Sequence, residues 1–151
     1  MEIERKYLIH QQPENLNQYS HYEIEQGYLN TEPVVRIRHQ GNEYVLTYKS
    51  RGFLSREEYN LPLTKEAYEH MRPKVDGVLI SKTRYVLPFN QELKIELDLF
   101  HEPYETLLLA EVEFPDEESA HNFTPPSWFG EEVTFSAKYQ NSTLSKGASL
   151  P

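Results

Sequence analysis

Residues 1–9 read Met1-Glu2-Ile3-Glu4-Arg5-Lys6-Tyr7-Leu8-Ile9, and the fold turns on how this stretch alternates. In a β-strand successive side chains point to opposite faces. Glu2, Glu4 and Lys6 therefore share one face, and Ile3, Arg5, Tyr7 and Ile9 share the other. Two carboxylates about 7 Å apart along a strand suit a divalent cation, and the lysine beyond them suits an anion. An ordinary amphipathic strand with one wet face has the same pattern. The reading therefore depends on whether other strands repeat it.

They do. Working outward, strands are predicted at 1–9, 22–30, 34–39, 43–49, 53–61, 78–87, 92–100 and 105–114. Turn signals separate them, among them Thr31-Glu32-Pro33, Gln40-Gly41-Asn42, Gly52 and the stretch 88–90. Residues 11–20 form a loop or a short helix opening near Pro13. Helices are predicted at 64–72, with Thr64 as N-cap, at 116–122 behind an acidic start, and at 133–144. Residues 146–151 read as a frayed tail. Eight strands joined mostly by short turns indicate a mainly β, antiparallel sheet or barrel with a few flanking helices, in a single domain spanning 1–151.

The charges fall on these strands at i, i+2. Arg36 pairs with Arg38, Arg56 with Glu58, Lys82 with Arg84, and Glu111 with Glu113. Lys94, Glu96 and Asp98 make a triple, and Lys49 closes its strand. Acidic and basic sets keep largely to separate strands, whereas an ordinary polar face mixes Ser, Thr, Lys and Glu. If the sheet closes with this face inward, the result is a water-filled tunnel with basic walls for a polyanion and acidic walls for metal. Phosphoryl transfer needs both, since it is catalysed mainly by positioning and charge neutralisation.

Composition sets the outer limits. The chain has 151 residues, no cysteine and a net charge of −9. Without cysteine there is no disulfide, thiolate metal site or thiol nucleophile. The acidic balance argues against nucleic-acid binding as the main activity. The charged N-terminus and the lack of a long apolar run argue against a signal peptide or membrane span and give a cytoplasmic expectation. The six histidines are scattered without zinc spacing and read as surface residues. Trp128, beside Pro125 and Pro126, reads as a packing anchor.

The ordered set of motifs resembles the CYTH family, or triphosphate tunnel metalloenzymes. It begins with the ExExK of Glu2, Glu4 and Lys6 and continues through Gln26-Gly27-Tyr28-Leu29, Val35-Arg36-Ile37-Arg38 and Leu46-Thr47-Tyr48-Lys49-Ser50. Arg56 with Glu58, Lys82-Thr83-Arg84-Tyr85, Ala110-Glu111-Val112-Glu113, and Trp128-Phe129-Gly130 with Glu132-Val133-Thr134 complete it. The pattern looks most like the short bacterial members that hydrolyse inorganic tripolyphosphate.

The resemblance implies a closed eight-stranded antiparallel tunnel with a charged lumen. Glu2, Glu4, Glu111 and Glu113 would be metal-side carboxylates, with Glu58 and Asp98 near the same site. Lys6, Arg36, Arg38, Lys49, Arg56, Lys82 and Arg84 would line the substrate channel, and Tyr28 is a further candidate for its wall. Hard oxygen ligands indicate Mg²⁺ or Mn²⁺. The implied reaction is in-line attack of water on a terminal phosphorus, with Glu2, Glu4 and Lys6 as the catalytic set and the general base left open. The partner is a small polyanion such as tripolyphosphate or a triphosphate ester, with no nucleic acid or membrane, and a homodimer is allowed.

Two points stay open. The run Phe135-Ser136-Ala137-Lys138-Tyr139 keeps one of the three charges that short bacterial members commonly carry before the terminal tyrosine, which bears on substrate preference. The alternatives to an inorganic tripolyphosphatase are a nucleoside or thiamine triphosphatase, a class IV type adenylate cyclase, or a noncatalytic polyphosphate-binding module.

Overall fold

A computed structural model describes residues 1–147. The strands are β1 (Glu2–Leu8), β2 (Ser20–Thr31), β3 (Val34–Gln40), β4 (Glu43–Lys49), β5 (Ser55–Arg56), β6 (Glu58–Pro62), β7 (Asp76–Pro88), β8 (Lys94–Phe100) and β9 (Leu108–Glu113). The helices are α1 (Lys65–Met71), α2 (Glu117–Asn122) and α3 (Asn141–Leu144). All strand pairs are antiparallel, in the order β5-β1-β9-β8-β7-β2-β3-β4-β6.

The two ends of that order are consecutive in the chain. The fifth predicted strand is divided at Glu57, whose carbonyl accepts from the Ser50 amide and whose amide donates to Ser50 Oγ. Before the break, β5 pairs with β1, placing Arg56 opposite Glu2. After it, β6 pairs with β4, placing Glu58 opposite Lys49. One bent segment therefore joins both edges, and the sheet is a nearly closed barrel of nine strands instead of eight.

The apolar face of β1, β8 and β9 points outward and carries Ile3, Ile95, Leu97, Ala110 and Val112. Ala120 of α2 and the partly buried Phe123, Trp128 and Phe129 cover it. Both of the longer helices begin as their sequences dictate. Thr64 Oγ1 accepts from the Ala67 amide at 3.0 Å, and Asp116 Oδ1 from the Ser119 amide at 2.7 Å.

The inward face is polar along most of its length and apolar at one end. Ile80, Phe100 and Leu109 lie two residues from Lys82, Asp98 and Glu111 on their strands and so share their face. With Tyr139 and Leu144 they form a second core cluster. The C-terminal segment supplies this floor, but not as the helix expected over 133–144. The Val133 amide donates to the Lys6 carbonyl, the Leu8 amide to the Glu131 carbonyl, and the Lys6 amide to Thr134 Oγ1. Residues 131–134 thus run beside β1, a role suited to the β-branched Val133 and Thr134. Only the short α3 and a 3₁₀ turn at Ala137–Tyr139 follow. Gly77, at φ +67°, lets this segment dock on β7, since a Cβ there would lie 2.0 Å from the Ser145 carbonyl oxygen. The tail expected from residue 146 lies, from 148 onward, outside the described residues.

Candidate active site

The barrel encloses a cavity of about 290 Å³. That is at the small end of the roughly 300–1,000 Å³ usual for small-molecule sites, so its contents must be compact. Glu2, Glu4 and Lys6 of β1 line it, as alternation requires. Tyr28, Arg36, Arg38 and Lys49 line the wall formed by β2, β3 and β4, and Arg56 and Glu58 fill the bent segment. Lys82, Arg84, Glu111 and Glu113 complete the ring from β7 and β9.

Asp98 is placed differently from the other candidates. It is fully buried and does not reach the cavity. Its two oxygens are taken by Arg84, at 2.7 and 2.9 Å, and Lys82 Nζ lies 2.6 Å from Oδ2. Asp98 is therefore a counter-ion behind two basic residues. Glu96, its neighbour in the i, i+2 triple, lines the cavity instead. It accepts from Arg84 Nη1 at 3.2 Å.

The acidic side is divided between paired and crowded groups. Lys49 Nζ donates to both oxygens of Glu2, at 3.0 and 2.9 Å, and lies 3.4 Å from Glu58. Glu111 lies 3.8 Å from Lys6 and 4.0 Å from Arg84. Burial alone would raise Glu111, but Lys6, Arg84 and Lys82 together hold it well below the ordinary carboxylate range. Glu4 and Glu113 stand directly opposite each other on β1 and β9, and among the described residues neither has an ion-pair partner. Burial, followed by the charges of Glu111 and Glu2, pushes Glu4 up to about 8. Glu113 is raised as well, by burial and then by Glu2, Glu58 and Glu96.

The basic side has the complementary imbalance. Arg36 donates from Nη2 to Thr47 Oγ1 at 3.2 Å, and its buried Nε has no partner among the described residues. Arg38 donates to Gln26 Oε1 at 2.8 Å and to Gln40 Oε1 at 3.3 Å. Neither arginine meets a carboxylate among the described residues. Burial, then the like charges of Arg36 and Arg84, brings Arg38 down to about 9. Lys82 falls to about 8, because burial outweighs the pull of Asp98. Lys82 and Arg84 are balanced by Asp98, but Arg36 and Arg38 repel each other with no carboxylate between them, which suits an anion.

Several cavity residues were not anticipated as site residues: Tyr22, Gln40, Thr47, Asn60 and Glu96 from the strands, and Gln140, Asn141 and Ser142 from the C-terminal segment. Glu96 already stood in the i, i+2 triple of its strand, and the uncharged strand residues could have been found by extending that rule to uncharged positions. The C-terminal three carry no periodic signal that a sequence reading could use.

A barrel with unbalanced arginines on one wall and crowded carboxylates on another is built to hold a small, highly charged ligand. The comparisons agree with this. Residues 1–148 match the CYTH domain, and the chain belongs to that family. It is 40% identical over 146 residues, 95% of each chain, to an inorganic triphosphatase of Nitrosomonas europaea. It is 36% identical over 126 residues, 80% of this chain and 78% of the other, to an inorganic triphosphatase of Acetivibrio thermocellus. A solved inorganic triphosphatase structure matches with a TM-score of 0.72 at 37% identity, covering 100% of this chain and 97% of its own. The structure of a Hippeastrum protein with a dominant triphosphatase activity shares the fold at 16% identity, with a TM-score of 0.57 over 80% of this chain and 83% of its own.

Proposed function

We propose that the protein hydrolyses inorganic tripolyphosphate with the help of a divalent cation, Mg²⁺ or Mn²⁺. The observation that carries the reading is the facing pair of imbalances. Arg36 and Arg38 lack any carboxylate partner among the described residues, while Glu4 and Glu113 are crowded together across the same cavity. The relationship to two inorganic triphosphatases supports the choice of substrate.

The donor set fits a hard cation. It is made of carboxylate oxygens only, and Glu4 is held partly protonated near neutral pH by burial and then by Glu111 and Glu2. Among the described residues no three of these groups converge closely enough to form a ready-made cation site, so the lysines holding Glu2 and Glu111 would have to give ground. Glu2, Glu4, Glu111 and Glu113 would hold the ion, with Glu58 beside them. When bound, it supplies Lewis-acid neutralisation of the phosphoryl oxygens.

The chain's own residues do the rest. Arg36 and Arg38 donate charge-assisted hydrogen bonds to phosphate oxygens, while Arg84, its fork held by Asp98, contributes mainly its charge. Lys6, Lys49, Lys82 and Arg56 add point charges along the same path, and Tyr28 offers a hydroxyl. Glu2 or Glu4 orients the attacking water, which adds to a terminal phosphorus as the bridging oxygen leaves with the remaining diphosphate. One water proton stays on the released phosphate and the other passes to the diphosphate or to solvent. The work is positioning and electrostatics, as phosphoryl transfer requires.

Phosphate release from tripolyphosphate, diphosphate, ATP and thiamine triphosphate, each with Mg²⁺ or Mn²⁺, is the direct test. The reading requires tripolyphosphate to be the best substrate and EDTA to abolish turnover. Full turnover without metal, or none on tripolyphosphate, would overturn it.

A further inference from the structure

Asn141 is the first residue of α3 and lines the cavity from the C-terminal side. Its Oδ1 accepts two hydrogen bonds, from Gln26 Nε2 at 3.0 Å and from Lys82 Nζ at 3.1 Å. The orientation of the amide is chemically determined, because an ammonium can only donate and whatever faces Lys82 must be the oxygen. Gln26 agrees with this. It is fully buried, and its own oxygen is taken by Arg38 Nε, so it meets Asn141 with its NH₂. Both assignments interlock, and Asn141 Nδ2, with two N–H donors, is left without a protein acceptor among the described residues.

We propose that Asn141 is a substrate-binding residue that donates from Nδ2 to oxygens of the phosphate group lying deepest in the tunnel, at the end closed by the C-terminal segment. The inference rests on the reading of the cavity as a triphosphate site and adds a subsite to it. Lys82, Arg84 and Arg38 already crowd this region with positive charge: Arg84 and Arg38 oppose the charge on Lys82, and Arg84 opposes that on Arg38. A neutral amide adds donors without adding repulsion. By holding Lys82 and Gln26 with its oxygen, Asn141 also fixes its own amide plane and, through Gln26, the guanidinium of Arg38.

Asn141→Asp separates substrate binding from a purely structural role. The aspartate keeps an acceptor for Lys82 and Gln26 but replaces the two donors with a second, negatively charged acceptor. A structural residue would tolerate the change, and the new charge beside Lys82 would hold or raise the melting temperature. A substrate-binding residue would not, because the new charge faces phosphate. Asn141→Ala loses both functions.

The experiment measures kcat and KM for tripolyphosphate at saturating Mg²⁺, together with melting temperature with and without tripolyphosphate, for wild type, Asn141→Ala and Asn141→Asp. We expect Asn141→Ala to raise KM roughly tenfold, and Asn141→Asp to raise it roughly a hundredfold while melting no lower than Asn141→Ala. The tripolyphosphate-induced melting shift should shrink in the same order, a readout independent of turnover. Asn141→Asp with a wild-type KM and melting shift overturns the inference and leaves the tripolyphosphatase reading standing. Wild type that neither binds nor hydrolyses tripolyphosphate overturns both. If Asn141→Asp does not fold, Asn141→Ala decides: a KM and melting shift like those of wild type overturn the inference.

Discussion

Lys49 Nζ sits astride the carboxylate of Glu2, 3.0 and 2.9 Å from its two oxygens, and reaches Glu58 at 3.4 Å. One lysine thus ties β1 to the bent segment that closes the barrel, at a point where Glu2, Glu58 and Glu113 would otherwise repel. Removing one partner of a buried pair leaves the other uncompensated, which costs on the order of 3 kcal/mol or more. Arg56, 3.5 Å from Glu2, keeps part of the compensation and places the cost at the low end.

Lys49→Ala should therefore lower the melting temperature of the metal-free protein by roughly 6–12 °C. A divalent cation would replace the missing charge, so Mg²⁺ should raise the melting temperature of the variant more than that of wild type. Thermal unfolding with EDTA and with Mg²⁺ tests both statements. Equal Mg²⁺ shifts in the two proteins would mean that the ion does not sit among Glu2, Glu58 and their neighbours.

The second expectation concerns pH. Glu4 has a folded-state value of about 8, raised by burial and then by Glu111 and Glu2. A raised carboxylate favours the folded state fully below its unfolded value, and that contribution is lost as pH rises through the folded value. The metal-free protein should accordingly lose stability between about pH 5 and pH 9. Cation and proton compete for Glu4, so Mg²⁺ affinity should tighten with pH by up to tenfold per unit below about 8 and then level off. Glu4→Gln should flatten both trends, which a melting-temperature series at fixed Mg²⁺ would reveal without needing turnover.

Arg38 tests the opposite wall. Its Nε and Nη1 are occupied by Gln26 and Gln40, so Nη2 is left to meet substrate. Arg38→Ala should cost about 1.5–3 kcal/mol in transition-state binding, roughly one to two decades in kcat/KM. Arg38→Lys should recover only part, since a point charge cannot reproduce the fork or keep both glutamine contacts. Stability should change little, because relief of the repulsion from Arg36 and Arg84 offsets the lost contacts to Gln26 and Gln40. Unchanged kcat/KM in Arg38→Ala would make this wall a solvated face of no catalytic consequence.

Much of this arrangement was legible in the sequence, for a specific physical reason. Strand alternation is a rigid rule, so charges at i, i+2 on β1, β3, β7 and β9 had to share a face; the family resemblance turned those faces inward and added Tyr28, and thirteen of the fourteen candidate residues line one cavity. What alternation could not give was depth. Glu96 and Asp98 share a face of β8, but Asp98 sits against Lys82 and Arg84, one pair further in, and is swallowed by them. Nor could it give the C-terminal segment. Helix formers and β-branched residues are interleaved there, and the amides and carbonyls of β1 decided the outcome.

Asp98 supplies the last prediction, because its place in the sequence and its place in the structure imply different phenotypes. As a metal-side carboxylate, its replacement by asparagine would weaken Mg²⁺ binding and leave the fold intact. As a buried counter-ion, Asp98→Asn instead strands Lys82 and Arg84 in the interior. Burial opposes its ionisation, yet Arg84 and Lys82 hold Asp98 below the ordinary carboxylate range, which marks it as charged and bonded to them. Breaking such a pair from one side costs about 3–5 kcal/mol, or roughly 6–20 °C in a domain of this size. Glu111 and Glu96 still touch Arg84, so the lower half of that range is expected. Because the folded value is depressed, the stabilisation from Asp98 is present above its ordinary value and is lost as pH falls below it. The deficit of Asp98→Asn relative to wild type should therefore narrow below about pH 4. Melting curves at pH 7 and pH 4, with a Mg²⁺ titration of both proteins at pH 7, distinguish the two roles. A large loss of melting temperature with unchanged Mg²⁺ affinity fits the counter-ion. An unchanged melting temperature with weakened Mg²⁺ binding would return Asp98 to the metal side.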